Sequence, residues 1–117
     1  MKQPPFHRDL FQDFWKSRGV KILCSINKSR ADVEIRFESG NKDWNKQQFD
    51  KLLMQKDSIE DKLGVELTWD RSDNRKLSRI YHRLEGVSYA EESDWERASD
   101  FHAKWSKKFY DVFRPYI

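Results

Sequence analysis

Three charged residues at alternating positions, Asp32, Glu34 and Arg36, come nearest to a catalytic constellation in this chain. A restriction-type nuclease centre holds a divalent metal with carboxylates and orients the attacking water with a lysine two residues after one of the acids. Here arginine stands at that position, and the three side chains alternate along what reads as a solvated strand face. Cross-strand ion pairing explains them more simply, so we predict no metal site and no metal catalysis.

Nucleophilic catalysis would require a cysteine, serine or lysine beside a positioned base. The single cysteine, Cys24, falls on the inward side of a predicted strand, where a free thiol is ordinarily inert packing. His7, His82 and His102 are scattered along the sequence and form no ligand pair on one helix face. No glycine-rich phosphate loop is present. The sequence therefore predicts neither a reaction nor a cofactor.

A basic cluster around a predicted strand is the constellation that remains. Arg79, Tyr81 and Arg83 alternate and share one strand face, while Arg75 and Lys76 lie in the preceding turn. Guanidinium groups beside an aromatic ring can contact phosphates and stack a base, which makes these five residues a candidate nucleic-acid surface. Two alternatives stay open. Outward acids on another hairpin would neutralise the same row by ion pairing, or the row would face a protein partner.

Alternating apolar residues predict the strands that must position these groups. Residues 31–38 alternate strictly, and the same period runs over residues 20–26. The polar segment 27–30 joins the two runs as an antiparallel hairpin. A second hairpin is predicted over residues 65–84. Each strand has one apolar side, so we expect the sheet to be covered on one face only.

A change of the apolar period to three and four predicts a long helix after each hairpin. The first helix is expected over residues 43–63, with Asn41 or Asp43 as N-cap and Gly64 just past its end. The second opens with a capping-box pattern at residues 93–96 and continues until a proline forbids further helix. Both helices carry an apolar stripe that must be buried.

These elements predict an α+β domain, in which an antiparallel sheet of four or five strands carries both long helices on one face. Residues 10–15 fit either a short helix or the start of a fifth strand. The chain, residues 1–117, is long enough for one core and is expected to form a single domain. Its 15% aromatic residues offset a composition that is only 37% hydrophobic.

Charge and cysteine content predict the surroundings of the protein. The net charge of +3 is too small to attract a polyanion over the whole molecule, so any nucleic-acid contact must be local. Cys24 has no partner for an intramolecular disulfide, which favours a reducing cytoplasm. No apolar run reaches membrane length and residues 1–10 lack a signal-peptide core, so we expect a cytoplasmic protein without membrane contact.

Six short segments, taken in order, resemble a known family. They are INKSRADVEIRF, FDKLLMQKDSIEDKLG, LTWDR, SRI, EESDW and FRPYI, spread over about residues 20–117. The resemblance is to a bacterial and archaeal family, domain of unknown function 4268, whose members often follow restriction-endonuclease-like nuclease modules. It implies a non-catalytic accessory module and brings no cofactor or site residue. Residues 1–19 resemble a shortened N-terminal part, so we expect a protein partner or a second copy of the chain in its place.

An aromatic patch is the second candidate surface. If the N-terminal part covers little of the molecule, Phe11, Trp15, Tyr89 and Tyr116 would stay partly exposed, and such patches mark interfaces. A homodimer would hide the patch most simply, and the alternative is that aromatic residues only fill the core. We therefore expect a non-catalytic interaction module, accessory to a DNA-related restriction or defence system. Nucleic-acid binding is the first alternative and a remnant nuclease-type enzyme the last.

Overall fold

The computed structural model describes residues 19–117 of the chain. Within this range four antiparallel strands form one sheet, in the spatial order β1-β2-β4-β3. The strands are β1 (Val20–Ile26), β2 (Arg30–Phe37), β3 (Thr68–Asp70) and β4 (Ser78–Glu85). The α+β architecture and both hairpins are confirmed. The element predicted at residues 10–15 lies outside the described residues.

The strand register separates an apolar face of the sheet from a polar one. Ile22 of β1 lies opposite Ile35 of β2, which in turn lies opposite Ile80 of β4, and all three are buried. In the next row Arg36 lies opposite Arg79 and points to the other face. Because side chains alternate along a strand, the same register builds the core and the outer charged surface together.

Three α-helices pack against the apolar face. They are α1 (Lys42–Leu53), α2 (Lys56–Leu63) and α3 (Trp95–Phe113), and short 3-10 turns at Glu92–Asp94 and Arg114–Tyr116 flank α3. The last helix packs mainly on β1 and β2, α1 packs on β2 and β4, and α2 contacts α3. Phe49, Phe109 and Phe113 are fully buried between these layers. Within residues 19–117, no helix combines the length and apolarity needed to cross a membrane.

The prediction of one long helix over residues 43–63 is wrong, because the chain forms two helices there. The Met54 N–H bonds to the Asp50 carbonyl at 3.3 Å and closes α1, and Gln55 leaves helical geometry with φ −107° and ψ 15°. Beyond this break α2 packs against α3 and buries Ile59, while Met54 is 84% exposed. The apolar spacing runs on across the break, so the spacing alone does not show it.

The helix ends follow the predicted signals in part. The Asn41 side chain accepts a backbone N–H from the first turn of α1 at 3.0 Å, and Gly64 ends α2 in the left-handed conformation with φ 77°. The capping box predicted at residues 93–96 does not form. Ser93, the predicted cap, directs its Oγ to Glu91 at 3.1 Å. Asp94, which precedes α3, accepts the Ser88 N–H at 2.9 Å and makes no side-chain cap bond either.

The third strand is shorter than the run that begins at Val65 predicts. The Leu67 N–H donates to Oε2 of Glu60 at 2.7 Å, and the Trp69 indole N–H donates to the same oxygen at 3.0 Å. Glu60 lies on α2, so its carboxylate ties the chain entering β3 to that helix. Only residues 68–70 therefore pair with β4, where they lie opposite residues 79–81.

Candidate functional site

The outer face of the sheet brings together the charged residues that the sequence singles out on two hairpins. Asp32 of β2 lies opposite Arg83 of β4, and Glu34 lies opposite Tyr81. We call the row Arg79, Tyr81 and Arg83 the Arg-Tyr-Arg ladder. Antiparallel pairing of β2 with β4 sets this ladder directly beside the acids of the first hairpin, because opposite residues share a face.

Arg83 is held by two hydrogen bonds to one carboxylate. Its Nε donates to Oδ1 of Asp32 at 2.7 Å and its Nη2 donates to Oδ2 at 3.0 Å. Asp32 is only 6% exposed, although it lies on the outer face. The bond to Asp32 raises the pKa of the Arg83 guanidinium. The arrangement is the planar two-bond pairing that arginine makes with carboxylates.

Arg79 is shared between two acids. Its Nε donates to Oδ2 of Asp70 at 3.1 Å, and its Nη1 lies 3.9 Å from Oε1 of Glu34. Glu34 is 3% exposed and also accepts two bonds from Arg36, at 3.1 and 3.2 Å. Burial alone would raise the pKa of Asp70, but hydrogen bonds from Ser72 and Arg79 lower it below its usual value. Both arginines of the ladder are thus ion-paired within the chain.

The two guanidinium groups enclose the ring of Tyr81. The guanidinium carbon of Arg79 lies 4.5 Å from the ring centroid and that of Arg83 lies 4.6 Å from it. Since these residues precede and follow Tyr81 on the same strand face, one guanidinium lies on each side of the ring. A nucleic-acid base would have to displace an ion-paired arginine before it could stack on Tyr81.

The turn between β3 and β4 is anchored by a buried lysine. Nζ of Lys46 donates to the carbonyl oxygens of Arg71, Ser72 and Leu77 at 2.5, 2.8 and 2.7 Å, and it lies 2.9 Å from Oγ of Ser78. Lys46 is 6% exposed, and burial lowers the pKa of its ammonium group. Four oxygens therefore surround a group that carries three N–H donors.

Lys46 is not among the predicted site residues, although one signal points to it. It precedes Phe49 by three residues and so lies on the apolar stripe of α1, which buries both side chains. A lysine on such a stripe must find polar partners, since an unpaired buried ammonium is costly. The sequence does not say which oxygens these are, because they belong to a turn 25 or more residues further along the chain.

The predicted residues of the basic turn are presented to solvent. Arg75 and Lys76 are exposed, and neither makes an ion pair among residues 19–117. The Lys76 carbonyl accepts a bond from the Asn45 side chain at 3.0 Å, and Asn45 is fully buried on α1. Together with Lys46, this amide fixes the backbone of the turn. The structure thus separates two exposed cations from the paired arginines of the ladder.

The predicted aromatic patch is not assembled by the residues that the structure describes. Phe11 and Trp15 lie outside the described residues. Tyr89 is exposed just before α3, whereas Tyr116 follows the end of α3 and accepts a bond from Nζ of Lys62 at 2.8 Å. The intervening helix of 19 residues is about 28 Å long, so Tyr89 and Tyr116 lie at its opposite ends.

A second basic surface lies on α3 and is not among the predicted residues. Nζ of Lys104 and Nζ of Lys108 lie 5.4 and 4.8 Å from the centroid of the Trp105 ring. Lys107, in contrast, pairs with Asp111 at 3.0 Å. The signal for this surface is the helical spacing of basic residues by three and four, which places them on one side of α3.

Burial shifts the pKa values of the cysteine and of two of the histidines that the sequence offers for catalysis. Burial raises the pKa of Cys24 to about 11, against a smaller opposite effect of a hydrogen bond with Ser106. Burial lowers the pKa of His82 and of His102, whose Nε2–H donates to the Ser25 carbonyl at 2.9 Å. Among residues 19–117 no three His, Cys, Asp or Glu side chains are grouped so that they could hold a metal ion.

The comparison with family models matches residues 2–117 to the family described as Domain of unknown function (DUF4268). No curated protein and no solved structure matches the chain. The family match includes residues 2–19, which the six resembling segments leave out, and its description names no reaction. Because the match spans nearly the whole chain, this protein belongs to the DUF4268 family.

Proposed function

We propose that this domain is a non-catalytic interaction module that binds a protein partner through the outer face of its sheet, around the Arg-Tyr-Arg ladder. The observation that carries the proposal is the fixed geometry of this ladder, in which Asp32 and Asp70 hold two arginines against one tyrosine ring. Arginine and tyrosine are among the residues that contribute most to the affinity of protein interfaces. A surface already ordered before binding loses little side-chain entropy when a partner docks.

The ladder keeps hydrogen-bonding capacity for a partner. A guanidinium carries five N–H donors, and Arg83 directs Nε and Nη2 to Asp32, which leaves Nη1 without a bond among the described residues. Arg79 likewise directs Nε to Asp70. Carboxylates or carbonyl oxygens of a protein partner fit such donors. The ring of Tyr81, enclosed by the two guanidinium groups, makes the same surface a poor platform for a base.

The resemblance noted in the sequence gives this proposal its context. The resemblance implies an accessory module behind restriction-endonuclease-like modules, and we therefore place the partner among the proteins of a DNA-processing or restriction-type defence system. A second copy of the chain is the partner most readily tested. In either case the domain supplies a docking surface and no catalytic group.

The test is the molar mass of the protein by light scattering between about 1 and 300 µM, alone and mixed with a purified nuclease or methyltransferase component of a restriction system. A complex should form in one of the two arms, and Tyr81→Ala should weaken it at least tenfold without changing the circular dichroism spectrum. Lys51→Ala, at an exposed position on α1, is the matched control and should leave the complex intact. A complex that is unaffected by Tyr81→Ala, or the absence of a complex in both arms, would contradict the proposal.

Nucleic-acid binding is the second candidate function, favoured by two pairs of exposed cations that make no ion pair among residues 19–117. These are Arg75 and Lys76 on the anchored turn, and Lys104 and Lys108 on α3. Fluorescence anisotropy with duplex and single-stranded DNA should then show an affinity that falls steeply between 50 and 200 mM salt. Replacing Arg75 and Lys76 by alanine should weaken binding more than replacing Arg79 and Arg83. Equal affinity of all variants would rule out this basic surface.

A further inference from the structure

We infer that the exposed edge of β4, at Arg83 and Glu85, is a strand-addition site that takes an extended acidic segment of the partner protein. This inference rests on the proposed function, because it names the segment through which that partner engages the domain. The added segment would pair with the edge of the sheet, whereas the proposed partner surface is the outer face of the sheet. The two can therefore fail separately.

Residues 19–117 leave this edge open because β3 begins only at Thr68. The Glu60 carboxylate accepts the Leu67 N–H at 2.7 Å, so Leu67 does not join the ladder at the position opposite His82. The last pair of the β3–β4 ladder joins Thr68 to Tyr81. Beyond Tyr81, no described residue pairs with β4 on this side, whereas β2 pairs with β4 as far as Glu85. Unpaired strand edges are templates for a further strand.

The hydrogen-bond alternation shows which backbone groups face the open edge. The Gly86 N–H donates to the Ser29 carbonyl at 3.1 Å and so continues the β2–β4 ladder by one residue. In an antiparallel ladder every second residue directs its N–H and C=O to the same neighbour. Leu84 therefore turns its backbone groups toward β2, and Arg83 and Glu85 turn theirs toward the open edge. An added strand would find two donors and two acceptors there.

On the inner side of this edge, aromatic rings lie next to two lysine amines. The His82 ring lies 4.4 Å from the Trp105 ring and 5.4 Å from the Phe101 ring, measured between centroids. Lys104 and Lys108 hold their Nζ atoms 5.4 and 4.8 Å from the Trp105 ring. Inward-pointing side chains of an added strand would contact these rings and amines. A side chain with an apolar stem and a terminal carboxylate fits both.

The outer side of the edge favours the same charge. Arg83 lies at the edge with two donors committed to Asp32 and Nη1 directed to neither oxygen of that carboxylate. Glu85 is exposed at the end of the strand and is the opposing charge here. The charge of Arg83 is balanced by Asp32, so the comparison is between Lys104 and Lys108 on one side and Glu85 on the other. The two lysines outnumber Glu85, and an acidic segment is therefore preferred over a basic one. Glutamates at alternate positions of the added strand all lie on one of its faces, and that face can be the inner or the outer one.

The experiment measures anisotropy of a fluorescein-labelled ten-residue peptide of alternating valine and glutamate, with a valine–lysine peptide as the charge control. Glu85→Pro removes the N–H that faces the edge and leaves the β2 ladder untouched, since proline is accepted on an edge strand where its nitrogen faces solvent. Glu85→Ala keeps that N–H and removes the same carboxylate. We expect Glu85→Pro to weaken binding at least tenfold and Glu85→Ala to bind at least as well as the parent.

Two further arms keep the test decisive. Lys104→Ala with Lys108→Ala should weaken the glutamate peptide about tenfold and abolish its advantage over the lysine peptide. If Glu85→Pro loses the folded circular dichroism spectrum, a glutamate peptide with N-methyl groups on alternate amides replaces it and should not bind the parent. The inference is overturned if the parent does not bind the glutamate peptide, if Glu85→Pro and Glu85→Ala bind it alike, or if duplex DNA binds where the peptide does not.

The outcome of the peptide experiment can be distinguished from the outcome of the test of the proposed function. Tyr81→Ala tests the face of the sheet and leaves the backbone groups of Arg83 and Glu85 in place. Peptide binding that survives Tyr81→Ala but not Glu85→Pro supports the edge alone. A partner complex that is lost in Tyr81→Ala but kept in Glu85→Pro supports the face and overturns the edge.

Discussion

Asp32 and Arg83 face each other across β2 and β4 and form a two-bond ion pair, with nitrogen–oxygen distances of 2.7 and 3.0 Å. The acid belongs to the first hairpin and the base to the second, so the pair also joins the two hairpins. Asp32 is almost completely buried, and its charge is compensated chiefly by this one guanidinium. A strip of β4 that looks free to bind phosphate in the sequence is thus largely neutralised within the molecule.

Removing Arg83 should destabilise the folded protein. We expect Arg83→Ala to lower the free energy of unfolding by about 2–3 kcal/mol, because Asp32 would keep a buried charge without its partner. With Asp32→Ala and the double variant, urea unfolding gives a cycle whose coupling should be about 1–2 kcal/mol. The exposed pair of Lys107 and Asp111 is the control, with a coupling near 0.5 kcal/mol or less. Equal coupling in both pairs would contradict the structural role assigned to Asp32.

Lys46 should hold the β3–β4 turn in place. Lys46→Met keeps the length of the side chain but leaves three carbonyl oxygens without their donor, and we expect a loss of about 2–4 kcal/mol in the free energy of unfolding. Trypsin should also cleave faster after Arg75 and Lys76, since the released turn becomes a better substrate. Lys51→Met, at an exposed position of α1, should change stability by less than about 0.5 kcal/mol.

Stability should fall as the pH drops from about 7 to about 5. Burial lowers the pKa of both His82 and His102 in the folded protein, whereas the unfolded chain keeps the ordinary histidine value of about 6.5. Below that value the unfolded state takes up protons that the folded state resists, so the stabilisation present above pH 7 is lost toward acid. Asp32 opposes this effect at both histidines, and Lys104 reinforces it at His82.

Thermal unfolding at pH 7.5 and pH 5.0 checks this dependence. The midpoint should be lower at pH 5.0, and His82→Leu should reduce the difference between the two values. A midpoint that is independent of pH, or one that rises toward acid, would show that the two imidazoles are not held neutral by burial.

The Cys24 thiol should be almost unreactive in the folded protein. Its pKa of about 11 leaves about one thiolate in a thousand at pH 8, and the thiolate is the nucleophilic form. We expect 5,5′-dithiobis(2-nitrobenzoate) to react at least 100-fold more slowly with the native protein than with the protein unfolded in urea. Similar rates in the two states would mean that Cys24 is open to solvent.

Local spacing was sufficient to predict most of the secondary structure of this protein. The alternation of apolar residues placed β1, β2 and β4 within a residue or two, and helical spacing placed α3, because the period of buried side chains is itself a local property. The same alternation assigned Arg79, Tyr81 and Arg83 to one face of β4. Spacing did not predict the break at Met54 and Gln55, since α2 takes its direction from its packing against α3.

What the charged residues contact was decided only by the tertiary structure. Whether Arg83 is free or paired depends on the register of β2 against β4, which joins residues 51 positions apart. The oxygens around Lys46, the bond from Leu67 to Glu60 just before β3, and the edge at Glu85 that residues 19–117 leave open depend in the same way on how the elements pack. Sequence patterns fix which side of an element is apolar, whereas ion pairs and hydrogen bonds form between elements, and their partners exist only once the sheet and helices have packed.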